Sequence, residues 1–321
     1  MTPAAPISIE LCHWGLIRAR GADAASFLHG QLTQDVLHLP PTEARLAGYC
    51  SVKGRLLASF VMCRPGPDEV LLACHASVLG ATLKRLAMFV MRAKCQLSDA
   101  TSEFEMVGLA GEPAVEALGD LPIWGRAEQH GVGWIRLPDA SGRVRALRLA
   151  ERGQGGELSP TADAAGLMAW RGLEVESAVA VIEAATVDQF VPQMLNFELI
   201  GAVNFQKGCY PGQEVVARSQ YRGTAKRRTL LFECDAQASA AQEVFHDRDA
   251  TQPAGMVVNA ANVMAAGIAG PSCRALIEVK LSALGDGELH LGAPDGPRLA
   301  RCAMPYEVPT DTADSSSGVA T

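Results

Sequence analysis

The run QKGCYPGQE, from Gln206 to Glu214, restricts the backbone more tightly than any other part of this chain. Gly208 admits angles that a side chain forbids, and Pro211-Gly212 favours a tight turn. Cys209 is therefore predicted on a sharply folded loop, with its sulfur presented rather than packed. Where Gln213-Glu214-Val215-Val216 opens a helix, Cys209 lies just before the N-terminus, and the dipole together with Lys207 favours a thiolate. Such a cysteine suits a nucleophile, a redox centre or a metal ligand. A cysteine taken at random from a cytosolic chain is more often a small core residue. The concentration of Lys207, Gly208, Tyr210, Gly212, Gln213 and Glu214 around one sulfur favours function here. Gln213 and Glu214 are expected to hold the loop by bonding backbone donors at the helix start.

With 321 residues the chain exceeds the usual scale of about 100 to 200 residues per domain, so two or three domains are expected. Hydrophobic residues at 48% and charged residues at 20% place it among ordinary globular proteins, away from disorder. The first residues, MTPAAPISIELCHW, lack a basic segment followed by a long apolar one, and no run of about 18 uncharged apolar residues occurs. Neither secretion nor membrane spanning is expected. The nine cysteines are scattered, with no C-x-x-C pair. That usage suits free thiols in a reducing cytoplasm and argues against a closed structural zinc site. A net charge of −7 disfavours general electrostatic coating of nucleic acid.

Helical spacing of Phe27, Leu28, Leu32 and Val36 after Asp23, a candidate N-cap, predicts a helix interrupted near Gly30. Val52-Lys53-Gly54-Arg55 and Pro65-Gly66-Pro67-Asp68 read as turns of hairpins. A helix is predicted from Ser77 to Val90, a strand from Ala93 to Leu97, and short strands with glycine-rich turns from Phe104 to Leu149. A further helix is expected from Thr161 to Gly172, and a small all-β unit from Thr229 to Pro305. The polar tail VPTDTADSSSGVAT is predicted disordered.

The run NFQKGCYPGQEVVARSQYRGTAKRR resembles the signature of the folate-binding YgfZ family, relatives of the glycine-cleavage aminomethyltransferase (T-protein). Flanking segments fit as well: ELCHWGLIRARGADAASFLHGQLTQDV, VDQFVPQMLNFELIGAVNF and AGMVVNAANVMAAGIAGPSCRALIEV. The resemblance covers residues 7 to 305, although 104 to 160 match only in general pattern. It implies an α+β fold: a T-protein-like ring of α/β domains closed by a C-terminal β-barrel, with tetrahydrofolate or a derivative in the central opening. On that basis residues 1–228 form a folate-binding region of two interleaved α/β subdomains, 229–308 the barrel, and 309–321 a disordered tail.

The resemblance also implies a folate-binding accessory protein that supports assembly or repair of iron-sulfur client enzymes, including those that modify tRNA, with Cys209 important for activity. Trp14 and Trp170 match positions that contact folate in family members, where an indole offers a rigid face to a flat pterin; by composition alone both would be core residues. In the T-protein an aspartate helps activate the folate. Here the corresponding stretch, ACHASVLGATLKRL, carries no acid, and its histidine, His75, is the one group suited to proton transfer. The alternative of a tetrahydrofolate-dependent one-carbon transferase or demethylase is weaker for that reason.

Arg218, Arg222, Lys226, Arg227 and Arg228 place five positive charges within eleven residues. They read as a solvated face or as an anion-binding cluster for a folate polyglutamate tail. Direct tRNA binding is the third alternative, disfavoured by the overall charge and by the lack of interleaved aromatics beyond Tyr221. A single cysteine cannot hold a stable iron-sulfur cluster alone, since such clusters usually take four ligands.

Overall fold

In the computed structural model, the described residues are 5–155, 160, 162–221, 225–249, 251–263 and 272–310. The predicted tail beyond residue 310 lies outside them. In chain order the elements are β1 (Ile7–Glu10), β2 (Trp14–Arg20), α1 (Ala24–His29), β3 (Ala44–Cys50), β4 (Leu56–Gly66), β5 (Glu69–His75), α2 (Ala76–Val90) and β6 (Gln96–Asp99). Next come β7 (Phe104–Ala110), α3 (Glu112–Leu118), β8 (Arg126–Gln129), β9 (Val132–Ala140), β10 (Arg143–Glu151), α4 (Ala164–Glu176) and α5 (Gln213–Tyr221). The last are β11 (Arg227–Cys234), β12 (Glu243–His246), β13 (Gly255–Val263), β14 (Ser272–Lys280), β15 (Leu289–Leu291) and β16 (Arg298–Arg301).

Two sheets and a barrel result. One sheet runs β3-β4-β5-β2-β6 and the other β1-β7-β10-β9-β8, so the chain leaves the second sheet after β1, builds the first, and returns at β7. This return interleaves the two α/β parts. Strands β2 to β5 are buried almost throughout their length, which explains why WGLIRAR and VLLACH read as apolar runs rather than as alternation. Arg18 of β2 joins the sheets: it bonds Glu69 and Glu103 at 2.6 Å and Glu151 at 2.7 Å. The remaining strands close a barrel in the order β11-β14-β13-β12-β15-β16.

Helix α4 sits at the centre of this arrangement. It packs on β1 and β9 of one sheet and on β13 and β14 of the barrel. Asp163 caps it by accepting the Gly166 N–H at 2.6 Å. After α4 the chain runs to α5 without a long helix, and side chains lace it to its surroundings. Asn259, at a bulge in β13, brackets Val181 with two bonds of 2.8 Å, while Asn196 donates to the Thr229 carbonyl at 2.7 Å. These bonds replace the regular ladder that the segment lacks.

Four sequence expectations change. The first helix ends at His29, where the Gly30 N–H closes on Ser26 and Phe27; Leu32 and Val36 are fully buried all the same, because the chain behind Gly30 folds onto β3. Asp23 stands at the N-cap position without capping, its carboxylate accepting the Lys94 N–H at 2.7 Å instead. Pro65 and Gly66 continue β4, and only residues 67 and 68 make the turn. Helix α3, a short element with glycines at both ends, was hidden in a stretch that reads as strands and turns.

Candidate functional site

The motif loop is built by small, specific contacts. Asn204 accepts the backbone N–H groups of Gln206 at 2.8 Å and Lys207 at 3.1 Å, folding the chain before the cysteine. Its own N–H bonds the Thr33 carbonyl at 2.9 Å. Lys207 turns inward, donates to the carbonyls of His29 and Leu32, and lies 4.9 Å from the Tyr210 ring centroid. Burial pushes its ammonium down to about 8, opposed by Asp35 and Cys209. Tyr210 is buried and its phenol is raised by that burial.

Gly212, with φ +79°, immediately precedes α5. A Cβ there would stand 2.7 Å from the Gly54 backbone, and one on Gly54 (φ +70°) would stand 2.7 Å from the Val215 Cβ. The two glycines therefore let the motif dock on the turn between β3 and β4. Cys209 itself is an exposed, free cysteine ahead of α5. Glu214 does not close the loop: it is 90% exposed and lies 3.7 Å from Arg218 on the next turn. Gln213 is part-buried in the first turn, and its N–H bonds the Tyr210 carbonyl at 3.2 Å.

A second constellation surrounds Glu174 of α4. Its Oε1 accepts the indole N–H groups of both Trp14 and Trp170 at 2.8 Å, and its Oε2 is paired with His13 Nε2 at 2.9 Å. Burial opposes the charge, but His13, Trp170 and Arg145 hold the carboxyl below the usual range. Trp14 and Glu174 stand at the junction of two pockets. One is a largely apolar concavity of about 490 Å³ counted with the open solvent at its mouth, narrowing to a cavity of about 40 Å³, and is walled by Trp14, Phe60, Trp124, Leu137 and Arg145. The other, about 370 Å³ with its open mouth and about 30 Å³ as a cavity, is more polar and carries His13, His75, Arg171, Glu183 and Asn259.

Trp170 is fully buried, stacked against Gly108, and lines neither pocket. Its place is behind Glu174 rather than against a ligand. His75 caps α2: its Nδ1 accepts the Ser77 N–H at 3.3 Å and lies 2.7 Å from the Ser77 hydroxyl. Burial lowers its pKa, with Glu183 opposing. Arg145 is nine-tenths buried or more, and its Nη1 has no hydrogen-bond partner. Burial pushes that guanidinium down to about 10.

The two constellations are distinct. None of Lys207, Cys209 or Tyr210 lines either pocket. Gly54, on which the motif rests, is five residues from Ser59 in the pocket wall, about 16 Å of extended chain.

The basic cluster also divides. Arg227 binds Glu278 through both Nε and Nη2, and Arg228 bonds Glu198 and the Gln193 carbonyl. Glu278 and Glu198 are 2% and 5% exposed at the side chain, so these two arginines are structural partners rather than open anion ligands. Arg218 and Lys226 remain exposed, and Arg222 lies outside the described residues. Among the described residues no cluster of three His, Cys, Asp or Glu side chains is arranged for a metal ion, and no helix is long and apolar enough to cross a membrane.

No family model matches the chain. It is 33% identical over 247 residues to the tRNA-modifying protein YgfZ of Edwardsiella ictaluri, covering 70% of each chain. The chain belongs to the YgfZ family. A second member, the tRNA-modifying protein YgfZ of Hamiltonella defensa, is 32% identical over 228 residues, covering 68% of this chain and 67% of that one. The glycine cleavage system aminomethyltransferase T of Bartonella henselae superposes with a TM-score of 0.70 at 16% identity, over 97% of this YgfZ-family chain and 87% of its own. The α/β architecture with a C-terminal barrel is thus the fold of aminomethyltransferase T.

Several residues that matter here escaped the sequence. Glu174 could have been found, since a carboxylate four residues after Trp170 lies on the same helix face. Asn204 carried the signal of an Asx turn, an Asn four residues ahead of Gly208 in the motif loop. His13, Arg145 and Asp35 carried none, because their partners are remote in sequence.

Proposed function

We propose that this chain is a folate-binding accessory protein that supports assembly or repair of iron-sulfur enzymes, including tRNA-modifying ones, with Cys209 as its reactive group. On this reading residues 1–228 carry the ligand region and 229–308 the barrel. The observation that carries the folate part is the pocket between Trp14, Phe60 and Arg145. Its apolar walls suit a flat heterocycle, and its edge offers one acceptor, Glu174, and one buried donor without a partner, Arg145 Nη1. A pterin presents both N–H donors and a carbonyl, so the donor set fits. Bound there, the folate would supply one-carbon or redox chemistry; Trp14 would orient its ring, and Arg145 and Glu174 would fix its edge.

The reading of Cys209 rests on its exposure within a loop that is otherwise held at every turn. Repair of iron-sulfur enzymes asks for an accessible sulfur, and a tRNA-modifying role, as in the relatives' names, would follow through such clients. Localisation in the cytoplasm accords with nine free thiols, seven of them partly or fully enclosed in the structure alongside exposed Cys12 and Cys209.

The pocket lined by His13, His75, Glu174 and Glu183 favours a second reading, one-carbon transfer or demethylation. The acid missing from ACHASVLGATLKRL is present in space, brought from α4 and the segment behind it.

Anaerobic titration with tetrahydrofolate, followed by tryptophan fluorescence, tests the first reading. Saturable binding weakened by Trp14→Phe and Arg145→Met supports it; no binding at millimolar folate overturns it. Loss of iron-sulfur enzyme activity in cells carrying Cys209→Ser, with folding intact, supports the role of the sulfur, and normal activity refutes it. Turnover of a methylamine donor would instead establish the transferase.

A further inference from the structure

Four side chains with proton chemistry meet beside the motif loop from two remote parts of the chain. Lys207 and Cys209 belong to the loop, His29 ends α1, and Asp35 follows it. His29 is largely enclosed, with 16% of its side chain exposed, and its Nδ1 stands 3.1 Å from Asp35 Oδ1. The other carboxylate oxygen is taken by His38 Nδ1 at 2.8 Å. His29 Nε2 faces the loop: a Cβ built on Gly208 would lie 3.6 Å from it. The Cα of Cys209 is one trans peptide further on, about 3.8 Å from that of Gly208, so the exposed thiol belongs to the residue next to the one His29 faces.

We propose that His29 is the proton acceptor of Cys209, with Asp35 as the positioning residue that keeps Nε2 available. The inference rests on the reading of Cys209 as the reactive group. One proton moves. The S–H bond of Cys209 breaks, an N–H bond forms at His29 Nε2, and a thiolate and an imidazolium result. No oxidant or reductant is consumed. Asp35 lies beside Nδ1 at ion-pair distance without hydrogen-bonding it, and its negative charge favours a proton at that nitrogen, which leaves the lone pair on Nε2, and stabilises the imidazolium once formed. Nucleophile, base and orienting acid recur in this relation on unrelated folds.

The surroundings agree with that assignment. Burial, then the charge of Lys207, holds His29 below its ordinary range, opposed by Asp35, with a small further lowering by His38. The imidazole is therefore in its basic form at neutral pH. Lys207 is electrostatically coupled to Cys209 and is anchored on the His29 carbonyl, so a cation already stands beside the thiolate that the transfer creates.

Alkylation tests the proposal on the full chain, reduced and anaerobic. A pulse of iodoacetamide at pH 7, followed by peptide mass analysis, gives the rate at Cys209 relative to Cys12, which is also exposed and serves as reference. An ordinary thiol is only a few per cent thiolate at that pH, so His29→Gln and His29→Phe should slow Cys209 by about tenfold against Cys12. Asp35→Asn should give a smaller loss and move the rise in rate to higher pH. At about pH 9.5, where a thiol ionises unaided, variants and wild type should converge. A slowing that persists at pH 9.5 would mean that His29 only shapes access. An unchanged ratio at pH 7 in both His29 variants, with melting temperatures preserved, would also overturn the proposal. Reactivity of buried Cys50 and Cys74 would reveal an unfolded variant, in which case the milder His29→Gln decides. The assay reads the thiol and not its cellular role: normal client activity in Cys209→Ser would remove the proposed function and leave this result standing.

Discussion

Gly212 and Gly54 meet backbone to backbone, each in the left-handed region, and so join the start of α5 to the turn between β3 and β4. The contact holds the cysteine loop at its junction with α5, while Lys207 anchors it to the carbonyls of His29 and Leu32. Alanine at Gly212 must both adopt a positive φ and intrude on Gly54, and the obstacle is backbone, which cannot swing away. Gly212→Ala is therefore expected to cost about 1–3 kcal/mol in urea unfolding. It should also make the loop a target for proteolysis. A stability equal to wild type would show that the loop is free of the β3–β4 turn.

Glu174 holds two indoles and an imidazole, so its loss should be felt both in stability and in tryptophan emission. Glu174→Gln keeps an acceptor for the indoles but loses the charged bond with His13, a loss of about 1–3 kcal/mol at pH 7. The folded carboxyl binds its proton less tightly than the unfolded one, whose ordinary value is 4.5. Its contribution is present in full above that value and is lost as pH falls through the lower folded value. The gap between wild type and Glu174→Gln should accordingly narrow as pH falls below 4.5. A gap constant from pH 7 to pH 3 would mean that the carboxylate contributes no charge-dependent stability.

The fold was more legible than the site, for reasons visible in particular residues. The spacing of Val78, Leu79, Leu83 and Leu86 marks α2, and the helix runs from Ala76 to Val90. The turn residues after Thr229 marked the barrel strands. The motif marked its own loop because Gly208, Pro211 and Gly212 act locally. The Glu174 cluster did not announce itself, since His13 and Trp14 lie more than 150 residues before it and meet it only after the sheet and α4 have packed. Arg227 and Arg228 misled for a related reason. Neighbours in a strand point to opposite faces, and here one meets Glu278 of β14 while the other meets Glu198 of the connecting segment. Neither partner can be paired from sequence.

The division of the basic cluster carries its own prediction. Arg228→Met leaves Glu198 enclosed without its cation, a change that typically costs about 3–5 kcal/mol. Arg228→Met combined with Glu198→Met should recover most of that loss. Arg218→Ala and Lys226→Ala, both at exposed positions, should stay within about 0.5 kcal/mol of wild type. Denaturant unfolding of the four proteins separates these cases. Any test of nucleic-acid or polyglutamate binding therefore belongs on Arg218 and Lys226, because neutralising Arg227 or Arg228 would disturb the barrel as well as the charge.

Lys207 gives a pH dependence of opposite sign to Glu174. Its folded value is near 8, below the ordinary 10.5, because burial disfavours the ammonium. Between those values the unfolded chain binds more protons than the folded one, so stability rises with pH across that window. Lys207→Met removes the titration together with the bonds to His29 and Leu32. Tyrosines and buried thiols titrate in the same range, but they are common to both proteins and cancel in the difference. Urea midpoints at pH 7.5 and pH 10 should therefore show the advantage of wild type over Lys207→Met growing as the solution becomes more alkaline. An advantage that shrinks would mean that the ammonium is stabilised by its two carbonyls and by Asp35 more than burial disfavours it, and that a full positive charge stays beside Cys209 well above neutral pH.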